Sequence, residues 1–224
     1  MSARGSRSLI IRECPPAFPL DAMTDALFDQ LKHPNPHLRD RAMLAIADTR
    51  DATTIPRLMS ALDSEDVVYR RAAVQALGGV GPDAVSAIVE ALLHSENVTV
   101  RGSAAKALAQ IAINYPELPF PEAGLQGLKQ ALDDANPIVY VAASMALGQM
   151  GMSAFDILVE SLASTDNIAS QVSIVNALAS IGGDRAAEVL TQYAHDVTAD
   201  TYVRETATSA LSRIELVKNN TPRT

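Results

Sequence analysis

The sequence predicts an all-α protein, a right-handed α-solenoid of about six helical hairpins. Two observations lead to this prediction. First, alanine and leucine carry the apolar content, aromatic residues make up only 4% of the chain and tryptophan is absent, which favours helices over a sandwich or barrel. Second, one segment recurs along the chain at a nearly constant spacing, as is typical of stacked helical repeats.

The recurring segment is defined by one column of residues, which we call the anchors and which are arginine in most copies. The anchors are Arg39, Arg70, Arg101, Tyr140, Gln171 and Arg204, at steps of 31, 31, 39, 31 and 33 residues. Alanine or isoleucine lies three positions after each anchor, and leucine or isoleucine lies seven positions after it. Offsets of three and seven fall on one stripe of an α-helix, so each copy predicts a helix, helix B, with one buried side.

A helix A precedes each helix B and ends near a leucine such as Leu62 or Leu132. Short polar turns are expected to join the two helices, at residues 32–36, 63–66, 94–97, 133–137 and 164–167. Asp, Asn and Ser in these turns are expected to cap helix B by accepting hydrogen bonds from its free N–H groups. Glycines are expected to end several repeats as C-caps: Gly78, Gly79, Gly81, Gly148, Gly151, Gly182 and Gly183.

The periodic pattern begins after Met23 and divides the sequence into three parts. These are an N-terminal tail at 1–22, a single repeat array at 23–218 and a C-terminal tail at 219–224. The first twelve residues are rich in arginine and serine and contain no acid. A poorly ordered tail is the favoured interpretation of 1–22, and a transit peptide or a true start at Met23 are the alternatives.

Composition restricts the classes of partner that this protein is expected to bind and the compartment in which it is expected to act. A formal net charge of −8 argues against nucleic-acid binding, which needs a basic face, and against docking on an anionic membrane. No apolar run approaches the roughly 18 residues that span a bilayer, so no membrane insertion is expected. Cys14 is the only cysteine, which fits a reducing compartment, and we expect a cytoplasmic protein.

No catalytic or metal-binding constellation is found in the sequence. The motifs GxSxG, Walker A and GxGxxG are absent, and prolines between His33 and His37 break the helical spacing of a ligand pair. The catalytic residues therefore stay unknown, and no metal site and no resident cofactor are predicted. The absence of motifs lowers the expectation of an enzyme without excluding one.

The arginine anchors have two interpretations. One is a ladder that binds anions; the other, which is favoured, is bonding to carboxylates and carbonyl groups of the turns, with Glu65 and Asp66 as candidate partners. Tyr140 and Gln171 are expected to lose this bonding, because neither carries a guanidinium group.

Helix B is expected to line the concave face of the solenoid. Positions one and five after the anchor then point outward: Arg71, Gln75, Gly102, Lys106, Val141, Met145, Val172, Asn176, Glu205 and Ser209. Val141, Met145 and Val172 give this set an apolar middle, and an exposed apolar patch indicates a partner site. The alternative is a different helix phase, which would bury these residues.

Eight extra residues, Tyr115 to Glu122, precede the fourth repeat and contain three prolines. They cannot continue a helix. Insertions in repeat proteins form loops, often on the binding side. The alternative, slightly favoured, is a stiff spacer in which Tyr115 and Phe120 pack on the core.

The columns resemble the HEAT repeat, with Pro56 early in helix A, Asp66 or Asn97 in the turn, then Val-Arg and an Ala…Ala-Leu ending. The chain is also similar to the cyanobacterial phycobilin lyases of the E/F type, which contain HEAT-like repeats. Four segments carry this likeness: 66–73, 97–101, 114–117 and 200–207. The expected fold is therefore a solenoid of HEAT-type hairpins.

The resemblance implies a protein that binds phycobiliproteins, their bilin chromophores, or both, for bilin attachment, exchange or removal. As an enzyme it would be at most a lyase-type subunit. Related HEAT proteins act in phycobilisome degradation or iron–sulfur cluster assembly, so a non-catalytic interaction scaffold is the alternative function.

The implied partners are phycobiliprotein subunits or another HEAT-repeat chain, with phycocyanobilin as a ligand. Cationic and aromatic side chains on helix B would suit its two propionates and its rings. The candidate binding residues are Tyr69, Arg71, Gln75, Lys106, Tyr140, Met145 and Asn176, with Tyr115 and Phe120 in the insertion loop.

Overall fold

The computed structural model describes the backbone of residues 20–220 and the side chains of residues 24–218, and most of both predicted tails lies outside these ranges. Residues 20–22 already belong to the first helix. The described chain forms six helical hairpins and contains no strand. The predicted all-α repeat fold is confirmed.

Each hairpin consists of an A helix followed by a B helix. The A helices are α1 (Leu20–Gln30), α3 (Thr54–Ala61), α5 (Val85–His94), α7 (Glu122–Ala131), α9 (Phe155–Ser164) and α11 (Gly183–His195). The B helices are α2 (Pro36–Asp48), α4 (Val67–Val80), α6 (Val98–Asn114), α8 (Pro137–Gln149), α10 (Ile168–Ile181) and α12 (Thr201–Asn220). Short 3₁₀ turns, Gly81–Ala84 and Gly151–Ala154, precede α5 and α9.

Every B helix begins at an Asp or Asn whose side chain accepts a hydrogen bond from the first turn. In α4, for example, Asp66 Oδ1 accepts from the N–H groups of Val68 at 2.8 Å and Tyr69 at 3.2 Å. The six caps are Asn35, Asp66, Asn97, Asn136, Asn167 and Asp200. The predicted capping by turn residues is therefore confirmed, and it fixes where each B helix starts.

The seven glycines predicted as C-caps take different positions in the structure. Gly151, with a φ of 64°, directly follows the C-cap of α8, whereas Gly183 is the first residue of α11. Gly81 and Gly182, with φ of 83° and 68°, end α4 and α10 as predicted. Gly78, Gly79 and Gly148 lie inside helices, so the prediction that they are C-caps is wrong. Gly148 instead lets two helices approach, because a Cβ there would lie 3.3 Å from the backbone of Ala177 in α10.

The A and B helices form two layers with a continuous apolar core between them. Each B helix packs on the next along the whole array, whereas extensive contact between successive A helices is confined to α5 and α7. The alanines three positions after the anchors make the close B-layer packing possible, since Ala73, Ala104, Ala143 and Ala207 are fully buried. We infer that the array curves toward its B helices, which then line a concave face.

One stretch of the described chain, Val67–His94, has the length and apolar composition of a membrane-spanning helix. This corrects the expectation that no segment approaches that length. The stretch is made of α4, a 3₁₀ turn and α5, and 50% of its most apolar window is buried inside the array. Its apolar residues Leu77, Ile88 and Leu92 belong to the core between the layers.

Candidate functional site

Three of the four arginine anchors donate to carbonyl oxygens of the preceding turn, whereas Arg204 donates to the hydroxyl of Thr201 at 3.1 Å. Arg39 donates to the carbonyl oxygen of His33 at 2.6 Å, and Arg101 donates to that of Ser95 at 2.9 Å. Arg70 makes the same bond to Ser64. The predicted partners Glu65 and Asp66 are not used, because Asp66 caps α4 instead. These three guanidinium groups are occupied by backbone carbonyls, so the structural interpretation holds for these three anchors.

Gln171 corrects the expectation that the fifth repeat loses this bonding. Its Nε2 donates to the carbonyl oxygen of Thr165 at 2.8 Å, six residues before it, as in the arginine repeats. The amide reproduces one guanidinium bond because a single N–H is enough for one carbonyl. Tyr140 makes no such bond.

One anchor also links two hairpins. Arg101 of α6 holds the carboxylate of Asp134, in the turn before α8, through Nε at 2.8 Å and Nη2 at 3.1 Å. Both side chains are largely buried. Burial, the largest single influence, raises the pKa of Asp134, but hydrogen bonds from Arg101 and from the N–H of Asn136, together with the Arg101 charge, hold that pKa below its ordinary value.

The outward side chains of the B helices form a surface that we call the B face. Arg71, Gln75, Lys106 and Met145 are exposed on it, as the predicted helix phase requires. Val172 and Asn176 are half-buried, and Gly102 is buried. The helix phase is therefore correct, while a binding role for these residues stays a prediction.

Tyr140 was predicted to be a binding residue on helix B, but it does not lie on the B face. Its side chain is only 6% exposed, since the anchor position points toward the turn and the neighbouring hairpin. Tyr69 is half-buried, and the ammonium group of Lys32 lies 4.9 Å from its ring centre. Asn176 is also engaged, because its Oδ1 accepts from Arg213 at 2.7 Å. The described B face therefore offers less aromatic surface than expected.

Three cationic side chains between residues 24 and 218 have no hydrogen bond, ion pair or aromatic ring as partner: Arg41, Arg71 and Lys106. All three lie on B helices of the first three hairpins, α2, α4 and α6. Asp40, at the outward position of α2, is also exposed and lines a cavity with Gln75. In a chain of net charge −8, the three cations therefore leave this half of the B face with a small local excess of positive charge.

The other half of the B face contains an exposed apolar stripe on α8. Ile138 is 56% exposed, Val141 38% and Met145 64%. The spacing of three and four residues places them on one side of the helix. Ile138 was not among the predicted residues, although its position two before the anchor falls on the same side of helix B as Val141.

The insertion loop packs on the array as the favoured interpretation predicted. Tyr115 donates its hydroxyl to the carbonyl oxygen of Gly79 at 2.6 Å and covers Gly81, while Phe120 covers Gly124. Leu118 remains 51% exposed. The loop and the end of α8 line an open cavity of about 350 Å³.

A cavity of about 580 Å³ lies at the C-terminal end, between the end of α10, the start of α11 and α12. Ile181 and Ile214 form part of its apolar wall. The cations at this cavity are already paired, since Arg213 donates to Asn176 and Lys218 lies 3.0 Å from Asp184. The cavity is therefore less suited to an anionic ligand than the unpaired cations of α4 and α6.

Within residues 24–218 no group of three His, Cys, Asp or Glu side chains is placed to hold a metal ion. His33 accepts the N–H of Asn35 at 3.0 Å, and the N–H of His37 donates to the Asn35 side chain. His33 thus lies in the turn before α2, and His37 lies in the first turn of α2. Cys14 lies outside the described residues.

Comparison with known proteins places this architecture among its relatives. HEAT repeats match residues 24–109 and 125–212, which leaves out the insertion loop. An uncharacterized phycocyanin operon protein Z from Pseudanabaena tenuis is 53% identical over 193 residues, 86% of this chain and 96% of the relative. A bilin biosynthesis protein, CpeZ, from a Synechococcus species is 30% identical over 185 residues, 80% of this chain and 99% of the relative.

Among solved structures, the complex of CpcE and CpcF of phycocyanin lyase from a Nostoc species contains a similar chain. The TM-score is 0.46 at 22% identity, covering 70% of this chain and 98% of the other. A designed armadillo repeat protein gives a TM-score of 0.41 at 19% identity, covering 84% and 98%.

Proposed function

Because this chain belongs to the HEAT-repeat family and to the group of relatives that includes phycocyanin operon protein Z and the bilin biosynthesis protein CpeZ, we propose that it is a bilin-related HEAT protein that binds phycobiliproteins. In this proposal the B face holds a phycobiliprotein subunit while its bilin is attached, exchanged or removed. The identity of 53% with a phycocyanin operon protein is the observation that carries the proposal.

The open shape of the B face supports the binding of a protein rather than the enclosure of a free pigment. Sites for small molecules are concave pockets that bury most of the ligand, whereas Arg71, Lys106 and Met145 are spread over an open surface of three helices. A cavity of about 270 Å³ beside Leu44 and Gln75 is at the small end for a ligand pocket. A bilin would therefore contact this face while it is presented by the protein that carries it.

The alternative of an iron–sulfur assembly scaffold gains no support from these relatives, since the names of both refer to phycocyanin or bilin. We propose a cytoplasmic site of action, where the reducing conditions suit a chain with one cysteine.

The test is a titration of the purified protein with apo- and holo-phycocyanin subunits and, separately, with free phycocyanobilin. Absorbance reports on the pigment, and light scattering with size-exclusion chromatography reports on complex formation. We expect a saturable complex with at least one subunit, and a weaker or absent response to free pigment.

The matched variants are Arg71→Ala with Lys106→Ala on the B face, and Arg185→Ala on the A helix α11. Arg185 is exposed and paired with Asp156 at 2.8 Å, so its removal changes charge without touching the B face. The proposal requires that only the first variant weakens the complex. No complex with either subunit and no response to pigment would refute it.

A further inference from the structure

An open groove of about 270 Å³ crosses the first three B helices on the B face. Its lining includes Asp40 and Leu44 of α2, Gln75 and Gly79 of α4, and Gln110 and Asn114 of α6. Because Gly79 has no side chain, the groove can pass over α4 beside Gln75. The groove therefore brings together three primary amides, one carboxylate and a leucine that is 66% exposed.

The two amides of α6 are held against α4. A Cβ added to Gly78 would lie 2.2 Å from Cγ of Gln110 and 3.2 Å from Nδ2 of Asn114, so these side chains occupy the space that glycine leaves open. Nε2 of Gln110 also donates to Oδ1 of Asn114 at 2.9 Å. Gln75 lies three residues before Gly78 on the same helix, so the amides of α4 and α6 are about one helical turn apart along α4.

These amides keep most of their hydrogen-bonding capacity free. A primary amide has two N–H donors and one carbonyl acceptor, and the bond between Gln110 and Asn114 uses one donor of the first and one lone pair of the second. The side chains of Gln75 and Asp40 have no partner among the described residues. The groove thus offers donors and acceptors side by side, as an unpaired peptide main chain requires.

Charged side chains of both signs surround the groove: the exposed acids Asp40 and Asp48, and the unpaired cations Arg41, Arg71 and Lys106. Of these five, only Asp40 lines the groove. The charges around it are therefore close to balanced, and we expect the amides rather than charge to determine what binds there. The cations outside the groove remain available to other parts of a partner.

We propose that this groove binds one extended, uncharged segment of the partner polypeptide, with its main chain bonded to the three amides and an apolar side chain against Leu44. An extended segment leaves its N–H and C=O groups free for such bonds, whereas the backbone groups of an α-helix already bond to one another. The volume lies below the roughly 300 Å³ at which small-molecule pockets begin. The proposal rests on the proposed function for the identity of the partner as a phycobiliprotein.

Three short synthetic peptides test the groove. In the parent peptide threonine alternates with leucine, and two derivatives carry N-methyl groups on either the threonines or the leucines. Successive N–H groups of an extended chain point to opposite edges, so each derivative loses the donors of one edge and keeps all side chains. We expect one derivative to bind about tenfold more weakly than the parent, and the other to bind within about threefold of it, as measured by fluorescence anisotropy.

The double variant Gln75→Ala with Gln110→Ala removes two of the amides. It should weaken binding of the parent peptide about tenfold or more and abolish the difference between the two derivatives. The control is Gln130→Ala, which removes an exposed amide from the A helix α7. Circular dichroism verifies that both proteins keep their helices. Absence of binding, equal binding of the three peptides, or a difference that persists in the double variant overturns the proposal.

The outcomes separate this inference from the proposed function. A phycocyanin complex that forms with wild type and survives Gln75→Ala with Gln110→Ala overturns the groove and leaves the proposed function intact. Peptide binding that follows the variants, without any phycocyanin complex, supports the groove and refutes the phycobiliprotein as its partner. Competition between the parent peptide and a phycocyanin subunit, lost in the double variant, supports both.

Discussion

The two helix layers of this solenoid are held together by different physical means. The B layer is continuous, since every B helix packs on the next through fully buried alanines such as Ala104 and Ala143. Between successive A helices, contact is extensive only at α5 and α7. There Gly127 lies against Val89, with a Cβ position 3.0 Å from a Val89 methyl group.

The two layers also differ in how their helices begin. All B helices start with an Asp or Asn cap, whereas α5, α7, α9 and α11 start without a side-chain cap. Capping is worth about 1 kcal/mol for each helix. The caps thus fix the residue at which each B helix begins, and the packing of buried alanines fixes the spacing between neighbouring B helices.

Surface ion pairs take the place of close packing in the A layer. Arg57 reaches Asp25, Lys129 reaches Glu160 and Arg185 reaches Asp156, each at 2.8 Å. The acid of each pair is well exposed, so water screens the attraction. The layer that we propose to bind a partner is therefore the more rigid one, which lowers the cost of ordering on binding.

The largest effect is expected when the B-layer contact is overfilled. Ala104 is fully buried on α6, which packs against both α4 and α8. In Ala104→Leu the added atoms have no space and must separate the helices, so we expect a loss of about 3 kcal/mol of unfolding free energy. Urea denaturation followed by circular dichroism measures it.

The control for this variant is Ala123→Leu on the A helix α7, where the residue is exposed. It should change the free energy of unfolding by no more than about 0.5 kcal/mol. Equal losses for the two substitutions would contradict the contrast between the layers.

A smaller effect is expected at the ion pair that joins two B-layer hairpins. Asp134→Asn removes the carboxylate that Arg101 holds with two nitrogens, and should cost about 2 kcal/mol at pH 7, as for a hydrogen bond between charged groups. The conservative Asp134→Glu keeps the charge but misplaces it, so it should lose less.

The stabilisation by the Arg101–Asp134 ion pair is expected to decrease in acid. Because the pKa of Asp134 is lowered in the folded protein, its stabilisation is complete above the ordinary aspartate pKa of about 3.9. It is lost as the pH falls from there through the folded-state value. The difference in unfolding free energy between wild type and Asp134→Asn should therefore shrink in this acid range. A difference that stays constant down to pH 2 would exclude the ion pair as its source.

The sequence was sufficient for features that depend on local chemistry. Helix period, turn positions and Asx caps recur in one register, so the six hairpins could be predicted before any contact was known. The exposure of Arg71 and Met145 followed from the same period, because the burial of one helix stripe determines which residues lie opposite.

Features that depend on neighbouring hairpins could not be predicted. Glycine is suited both to a helix end and to a close helix contact, so Gly148 was misassigned. The burial of Tyr140 depends on how far the next hairpin covers the anchor position. The unpaired state of Lys106 also required the structure, since the acids near it in sequence pair elsewhere or remain in the turns.

The smallest effect is expected at an ion pair between two A helices. It tests whether such pairs hold the A layer together only weakly. Lys129→Met keeps most of the aliphatic length of Lys129, which is 33% exposed, and removes its contact with Glu160, which is 67% exposed. We expect a loss between 0 and about 1 kcal/mol, because exposed pairs gain little in water. A double-mutant cycle with Glu160→Gln isolates the pair, and its coupling should fall toward zero in about 1 M salt, where the screening length is about 3 Å. A coupling of about 2 kcal/mol that resists salt would mean that the A layer is held together as firmly as the B layer, and the B face would then not be the more rigid surface.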